Sequence, residues 1–338
     1  MKRFLTIVLG LIMALSIVCF SACSGNGDNK GLTLYAPDGA PALSIARLIN
    51  DKNIIKNLDV KIIDAKEITS KVSGENPVAD VCILPVNIAS KVLGNANTYQ
   101  MLGVVTNGNL FIMKKGAGDN VTTSNINTLV GKTVGVIQIA GVPGVTFKAI
   151  LKSNNLEWTE GNQAVDSTKV NLVGLSGGTE VKPTSSCDYF VVPEPAATTK
   201  QNATSGALTI VGSLQQLYGE NENGYPQAVI VAKKSVISSN YNMVKQIVNS
   251  FSDNVNWLKD ENTSKETIVN AVISGFEKEM NATFSAQNLN DAVIDNCAIR
   301  FTDGILAKSS VLAYLSKINE VTNNSFGTPV DDFFIKIS

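Results

Sequence analysis

The sequence predicts an α/β protein of two units, each a mainly parallel sheet flanked by helices. Three observations carry this. The chain has 338 residues, 44% of them hydrophobic and only 17% charged, enough to bury a large core and to divide into two domains. Short apolar, strand-like runs alternate with amphipathic, helix-like ones, the rhythm of βαβ units. After "YQMLGVVTNGNLFIMKK", residues 99–115, that rhythm starts afresh, so a second sheet should follow the first.

The chain opens on an export signal. Lys2 and Arg3 precede the apolar run "FLTIVLGLIMALSIV", and "FSAC" sets small residues before Cys23. The segment resembles the lipobox of bacterial lipoproteins, with Phe20 where leucine is usual, and the resemblance implies removal of residues 1–22 and acylation of the Cys23 thiol. A plain membrane anchor over Phe4–Cys23 is the alternative, because that run is just long enough to span a bilayer. Either reading holds the protein at the outer face of the cytoplasmic membrane. "SGNGDNKG", residues 24–31, reads as a solvated tether.

In the first unit "LTLYA", "VKII" and "ADVCILP" read as strands. "APALSIARLIND" forms a helix between the first two and "VNIASKVLG" one after the third. In the second, "LVGKTVGVIQ", "KVNLVGL" and "CDYFVVPEP" are strands, "GVTFKAILKSNN" is a helix, and "PAATTKQNA" starts another. The last third gives one strand, "YPQAVIVAKKSV", expected to return to the first sheet. Beyond it the pattern is helical, with Val244, Ile247, Val248, Phe251, Val255 and Leu258 forming a core-facing stripe.

Composition excludes several functions. Residues 23–338 hold 26 basic side chains against 29 acidic ones, so nothing courts nucleic acid. The histidine count is zero, which removes the usual general base and the commonest metal ligand; no cofactor and no metal are expected. "GLSGG", residues 174–178, matches the hydrolase pattern G-x-S-x-G, but Ser176 has no histidine to activate it. A cell-surface serine hydrolase using Ser176 remains the alternative from another class. "GKT" at Gly131–Thr133 lacks the upstream glycine of a phosphate loop, since Ile126 stands there. Cys82, Cys187 and Cys297 show no metal or disulfide spacing and read as buried thiols.

At this point the chain resembles a known family. "APDGAPALSIA", "DVCILPVNIAS", "LGVVTNGNLFIMKK", "LVGKTVGVIQIAGVPGVTFKAIL", "DYFVVPEPA" and "YPQAVIVAKK" follow one another as in the solute-binding lipoproteins of ABC importers, in their nitrate, sulfonate and thiamine-precursor branch. The resemblance implies a type II periplasmic-binding fold with a cleft between two lobes. Residues 32–106 and 226–338 would form lobe 1 and residues 107–225 lobe 2, with crossings near Thr106–Asn109 and Gly224–Gln227. It further implies a monomer that closes on a small solute by hinge motion and hands it to a membrane permease. These loops carry few of the large rings that some relatives use around a ring-shaped solute.

In open α/β sheets ligands sit at the carboxyl ends of strands, where helix N-termini point. Here those ends offer Asp38, Gly39 and Ala40; Asn87; Gln138, Val145 and Thr146; and Glu194, with Asn107, Asn109 and Tyr225 at the crossings. Each has a plainer reading. Asp38 could cap its own turn and Asn87 its helix, while Glu194 could be an exposed ion-pair partner. Val145 and Thr146 would offer backbone amides, and Thr146 a hydroxyl, at a helix start. Past the signal only Arg47 and Arg300 are arginines, so a carboxylate-clamping fork is disfavoured. The favoured solute is a neutral or cationic polar molecule such as a thiamine-related pyrimidine; a sulfonate or nitrate held by helix N-termini is the alternative.

Overall fold

The computed structural model describes residues 31–161, 164–219 and 224–337. The signal, Cys23 and all of the tether but Gly31 lie outside the described residues.

Continuous apolar runs become buried strands. β1 (Leu32–Pro37), β2 (Leu58–Ile63), β3 (Val81–Pro85) and β4 (Tyr99–Thr106) belong to a first six-stranded sheet, completed by β11 (Ala228–Lys233) and β12 (Ile299–Asp303). Its order is β12-β4-β11-β3-β1-β2. β5 (Leu110–Lys115), β6 (Thr133–Ile137), β7 (Trp158–Glu160), β8 (Val170–Leu175), β9 (Tyr189–Pro193) and β10 (Leu208–Ser213) form the second, ordered β10-β5-β9-β6-β8-β7. The chain passes from one sheet to the other between Thr106 and Leu110, and back ahead of Ala228.

Both sheets are mixed, with most strands running one way and β11 and β12 reversed in the first and β5 in the second. β1 pairs in parallel with β2 and β3, and β6 with β8 and β9, but β11 is antiparallel to both β3 and β4, and β5 to β9 and β10. The crossings explain this. β4 leaves the first sheet at its carboxyl end through three residues, too few to turn the chain round, so β5 enters the second sheet running away from the cleft. β11 re-enters the first sheet by the same logic.

Helices cover the sheets. α1 (Ala40–Leu43) and α2 (Ala46–Asn50) replace the single helix expected over "APALSIARLIND". The break falls at Ser44, whose hydroxyl donates to the Pro41 carbonyl at 2.6 Å and competes with helical bonding. α3 (Ile68–Val72) and α4 (Val86–Leu93) complete the first half; α5 (Val142–Ser153), α6 (Ala196–Ala203) and α7 (Leu214–Tyr218) flank the second sheet. The last third supplies α8 (Lys234–Ser239), α9 (Tyr241–Lys259), α10 (Lys265–Ser274), α11 (Asp291–Asn296) and α12 (Gly304–Asn319). On α9 the stripe Val244, Ile247, Val248, Phe251 and Leu258 is buried and Val255 half-buried. β12 was not expected within this helical stretch. Cys82, Cys187 and Cys297 are free, buried thiols, and burial pushes the Cys82 and Cys297 thiols up, with Glu194 adding to the effect at Cys297. They act as small apolar side chains.

Candidate functional site

Strand ends from both sheets converge where the chain crosses. The segment 107–109 is tied on every side. The Asn107 amide donates to the Ala298 carbonyl at 3.0 Å, its Nδ2 to the Arg300 carbonyl at 3.1 Å, and its own carbonyl accepts the Tyr225 amide at 3.2 Å. Asn109 Oδ1 accepts from Gln227 Nε2 at 2.9 Å, and its carbonyl takes the Glu194 amide at 3.0 Å. Between them Gly108 has φ 98°, and an added Cβ there would lie 2.8 Å from both Gln215 Cγ and Tyr225 Cε1, so only glycine fits.

Glu194 is no exposed ion-pair partner. It is 2% exposed, directly after β9, and its three hydrogen-bond donors are all neutral: the Thr198 amide to Oε2 at 3.1 Å, and the Thr198 hydroxyl and Asn296 Nδ2 to Oε1, each at 2.7 Å. Asn296 ends α11, which packs with the first sheet, so this bond joins elements of the two sheets. A second bridge joins α5 to α12, where the hydroxyls of Thr146 and Tyr314 meet at 2.7 Å in the interior. Lys152 of α5 and Glu320, just past α12, form an exposed ion pair at 3.4 Å.

The opening turn is held by its own aspartate. Asp38 Oδ1 accepts from the Gly39 amide at 2.8 Å and Oδ2 from the Thr283 amide at 2.7 Å. Gly39, with φ 98°, turns the chain into α1, and Ala40 is buried in its first turn. Asn87 is not a helix cap: Pro85 occupies that position and Asn87 lies inside the first turn of α4, 3% exposed. Gln138 is exposed, in a left-handed conformation that carries the turn after β6. The Val145 amide donates to the Gly141 carbonyl and is spent inside α5, because the helix begins at Val142. Val145 and Thr146 are buried.

Among the described residues, five buried side-chain polar atoms have no hydrogen-bond partner: Asn87 Oδ1, Thr106 Oγ1, Gln215 Oε1, Tyr225 OH and Gln227 Oε1. They are neighbours. The Gln227 amide donates to the Thr106 carbonyl and its carbonyl accepts the Val86 amide, both at 3.0 Å, while Gln215 and Tyr225 flank Gly108. Such atoms are rare in folded proteins and costly singly. Beside them Tyr225 stacks on Tyr314 with centroids 5.5 Å apart and meets Tyr218 at the same distance. Lys317 Nζ lies 4.4 Å from the Tyr218 centroid. Burial raises all three phenols, Tyr218 to about 12, so they stay protonated donors at neutral pH.

Thr106, Gln215 and Gln227 escaped the sequence reading, although Thr106 and Gln227 bound the crossings it placed. Thr198 was open to it, four residues after Glu194 on a helix. Asn296 and Tyr314 carry no motif. Ser176 is exposed, and its amide donates to Glu180 Oε1 at 2.9 Å; the Ser176 hydroxyl and amide together lower the Glu180 carboxyl. Surface hollows lie elsewhere, one of 640 Å³ between α9 and β12 that includes Arg300, another of 550 Å³ along the β2 edge. None of the five partnerless atoms lines either hollow.

Three solved structures share this architecture. An ABC transporter protein from Parabacteroides distasonis matches with a TM-score of 0.68 at 17% identity, over 91% of this chain and 99% of that one. The periplasmic aliphatic sulphonate binding protein SsuA from Escherichia coli matches at 0.62 and 11%, over 91% and 93%. A putative periplasmic sulfonate-binding protein SsuA from Methylobacillus flagellatus matches at 0.58 and 13%, over 89% and 88%. The chain therefore has the two-lobed periplasmic-binding-protein fold. No family model and no curated protein matches its sequence.

Proposed function

We propose that this protein is the extracytoplasmic solute-binding component of an ABC importer. It captures a small polar molecule between lobe 1 (residues 32–106 and 226–338) and lobe 2 (residues 107–225), and delivers it to a membrane permease. The observation that carries the reading is the convergence of strand ends from both sheets on the crossing segments, with polar side chains buried there and left without partners. A ligand bridging two lobes stabilises the form in which they are closed. The protein acts as a monomer, without a catalytic step, tethered at the outer membrane face through acylated Cys23.

A thiamine-precursor-like pyrimidine is the favoured solute. The likeness to sulfonate-binding structures keeps an alkyl sulfonate, or nitrate, as the second candidate. Small-angle scattering on residues 24–338 tests the mechanism. The radius of gyration should shrink on saturation with an aminopyrimidine, or with ethanesulfonate on the second reading. An unchanged radius at demonstrated saturation would sink hinge capture.

A further inference from the structure

The partnerless groups at the crossing have a common chemistry. Three are amide oxygens, which only accept hydrogen bonds; two are hydroxyls, which accept or donate. Gln227 is oriented by its own Nε2, which donates to Asn109 Oδ1, so its Oε1 is the atom left over. None of the five carries a charge. The carboxylates nearest in the fold are already engaged, Glu194 by three donors and Asp38 by two backbone amides.

We infer that the solute is an uncharged molecule bearing two or more N–H or O–H donors, read by Asn87, Thr106, Gln215, Tyr225 and Gln227 and seated against the Tyr225–Tyr314 stack. This rests on the solute-binding reading and narrows it. An anion would bring its oxygens against three amide oxygens, which only accept hydrogen bonds. A cation would surrender its water for neutral dipoles alone. A neutral donor loses least on desolvation and supplies what the five atoms lack, which makes each new bond worth more than its equivalent in water. The three phenol rings pack on one another beside these atoms.

Thermal unfolding of residues 24–338 tests this, comparing the wild type with Thr106→Val and Tyr225→Phe, which remove only a partnerless hydroxyl. Without ligand, each variant should melt at or above the wild-type temperature, since an apolar replacement removes a buried group that bonds to nothing. Millimolar cytosine or myo-inositol should raise the wild-type melting point, and about tenfold more should be needed in each variant. Unliganded variants that melt several degrees lower would overturn the inference, because the atoms would then be partnered within the fold. Stabilisation by ethanesulfonate, nitrate or tetramethylammonium with the neutral probes silent would overturn it too, and leave solute binding standing. Silence of every probe, with no change in the scattering radius, would remove both.

Discussion

Asn87 and Glu194 stand just past comparable strand ends, one on each sheet. Each follows an apolar strand that ends on a proline, β3 at Pro85 and β9 at Pro193, and each stands at the start of the next helix. Both are buried, to 3% and 2% exposure. Their bonding differs completely. Glu194 is saturated, partly by Asn296 from the other lobe, whereas Asn87 Oδ1 has no donor. A strand end can therefore serve either as a fastening between lobes or as an open position, and residue type with local pattern alone does not say which. The bonded end joins elements packed on the two sheets, and the open end leaves a buried acceptor without a donor.

The largest expected effect comes from cutting the fastening. Glu194→Ala strands the Thr198 hydroxyl and amide and the Asn296 amide, and should cost about 3 kcal/mol of unfolding free energy. Asn296→Ala should cost about 1–2 kcal/mol, and the double variant less than the sum, because both changes remove one bond. Urea unfolding reads all three. A loss below about 1.5 kcal/mol for Glu194→Ala, the bottom of the range for hydrogen bonds to charged groups, would erase the difference between the two strand ends.

Tyr314→Phe probes the second bridge. It leaves the buried Thr146 hydroxyl without its partner and should cost about 1 kcal/mol, while keeping the ring stacked on Tyr225. Set against the near-zero change expected for Tyr225→Phe, this compares two stacked phenols that differ only in whether the hydroxyl is bonded. Equal effects would mean that bonding across the lobes contributes nothing there.

Much of the fold was legible because buried parallel strands announce themselves as unbroken apolar runs, as "VCILP" and "YFVVP" do. The return of "QAVIVAKK" to the first sheet was legible for the same reason. Strand β12 was not, since Ile299–Asp303 carries two charged residues in five and pairs along only one edge, with β4. The site was half legible. Strand-end logic pointed to Asn87 and Glu194, and the expected crossings to Asn109 and Tyr225, because position along a strand is a local property. It could not show that Asp38 would be spent on Thr283, or that Glu194 would meet Asn296, since those partners lie 245 and 102 residues away. Saturation of a polar group is a property of the tertiary fold.

Glu277 gives the smallest effect and the cleanest contrast with Glu194, because its partners include cations. Lys71 Nζ lies 2.7 Å from its Oε2 and the Tyr35 hydroxyl donates to Oε1 at 3.0 Å, with Lys61 at 3.7 Å. The Lys71 hydrogen bond, set against some burial, holds the Glu277 carboxyl below its ordinary value. A carboxyl depressed on folding adds stability above its unfolded pKa and loses it as pH falls through the folded one. Glu277→Gln should therefore be less stable than wild type by about 0.5 kcal/mol near neutrality, as for partly exposed ion pairs. The gap should close in acid. Melting curves of both proteins across that range read the difference directly, and a gap that stays constant, or widens as pH falls, would show that charge pairing at this carboxylate is not what the lysines contribute.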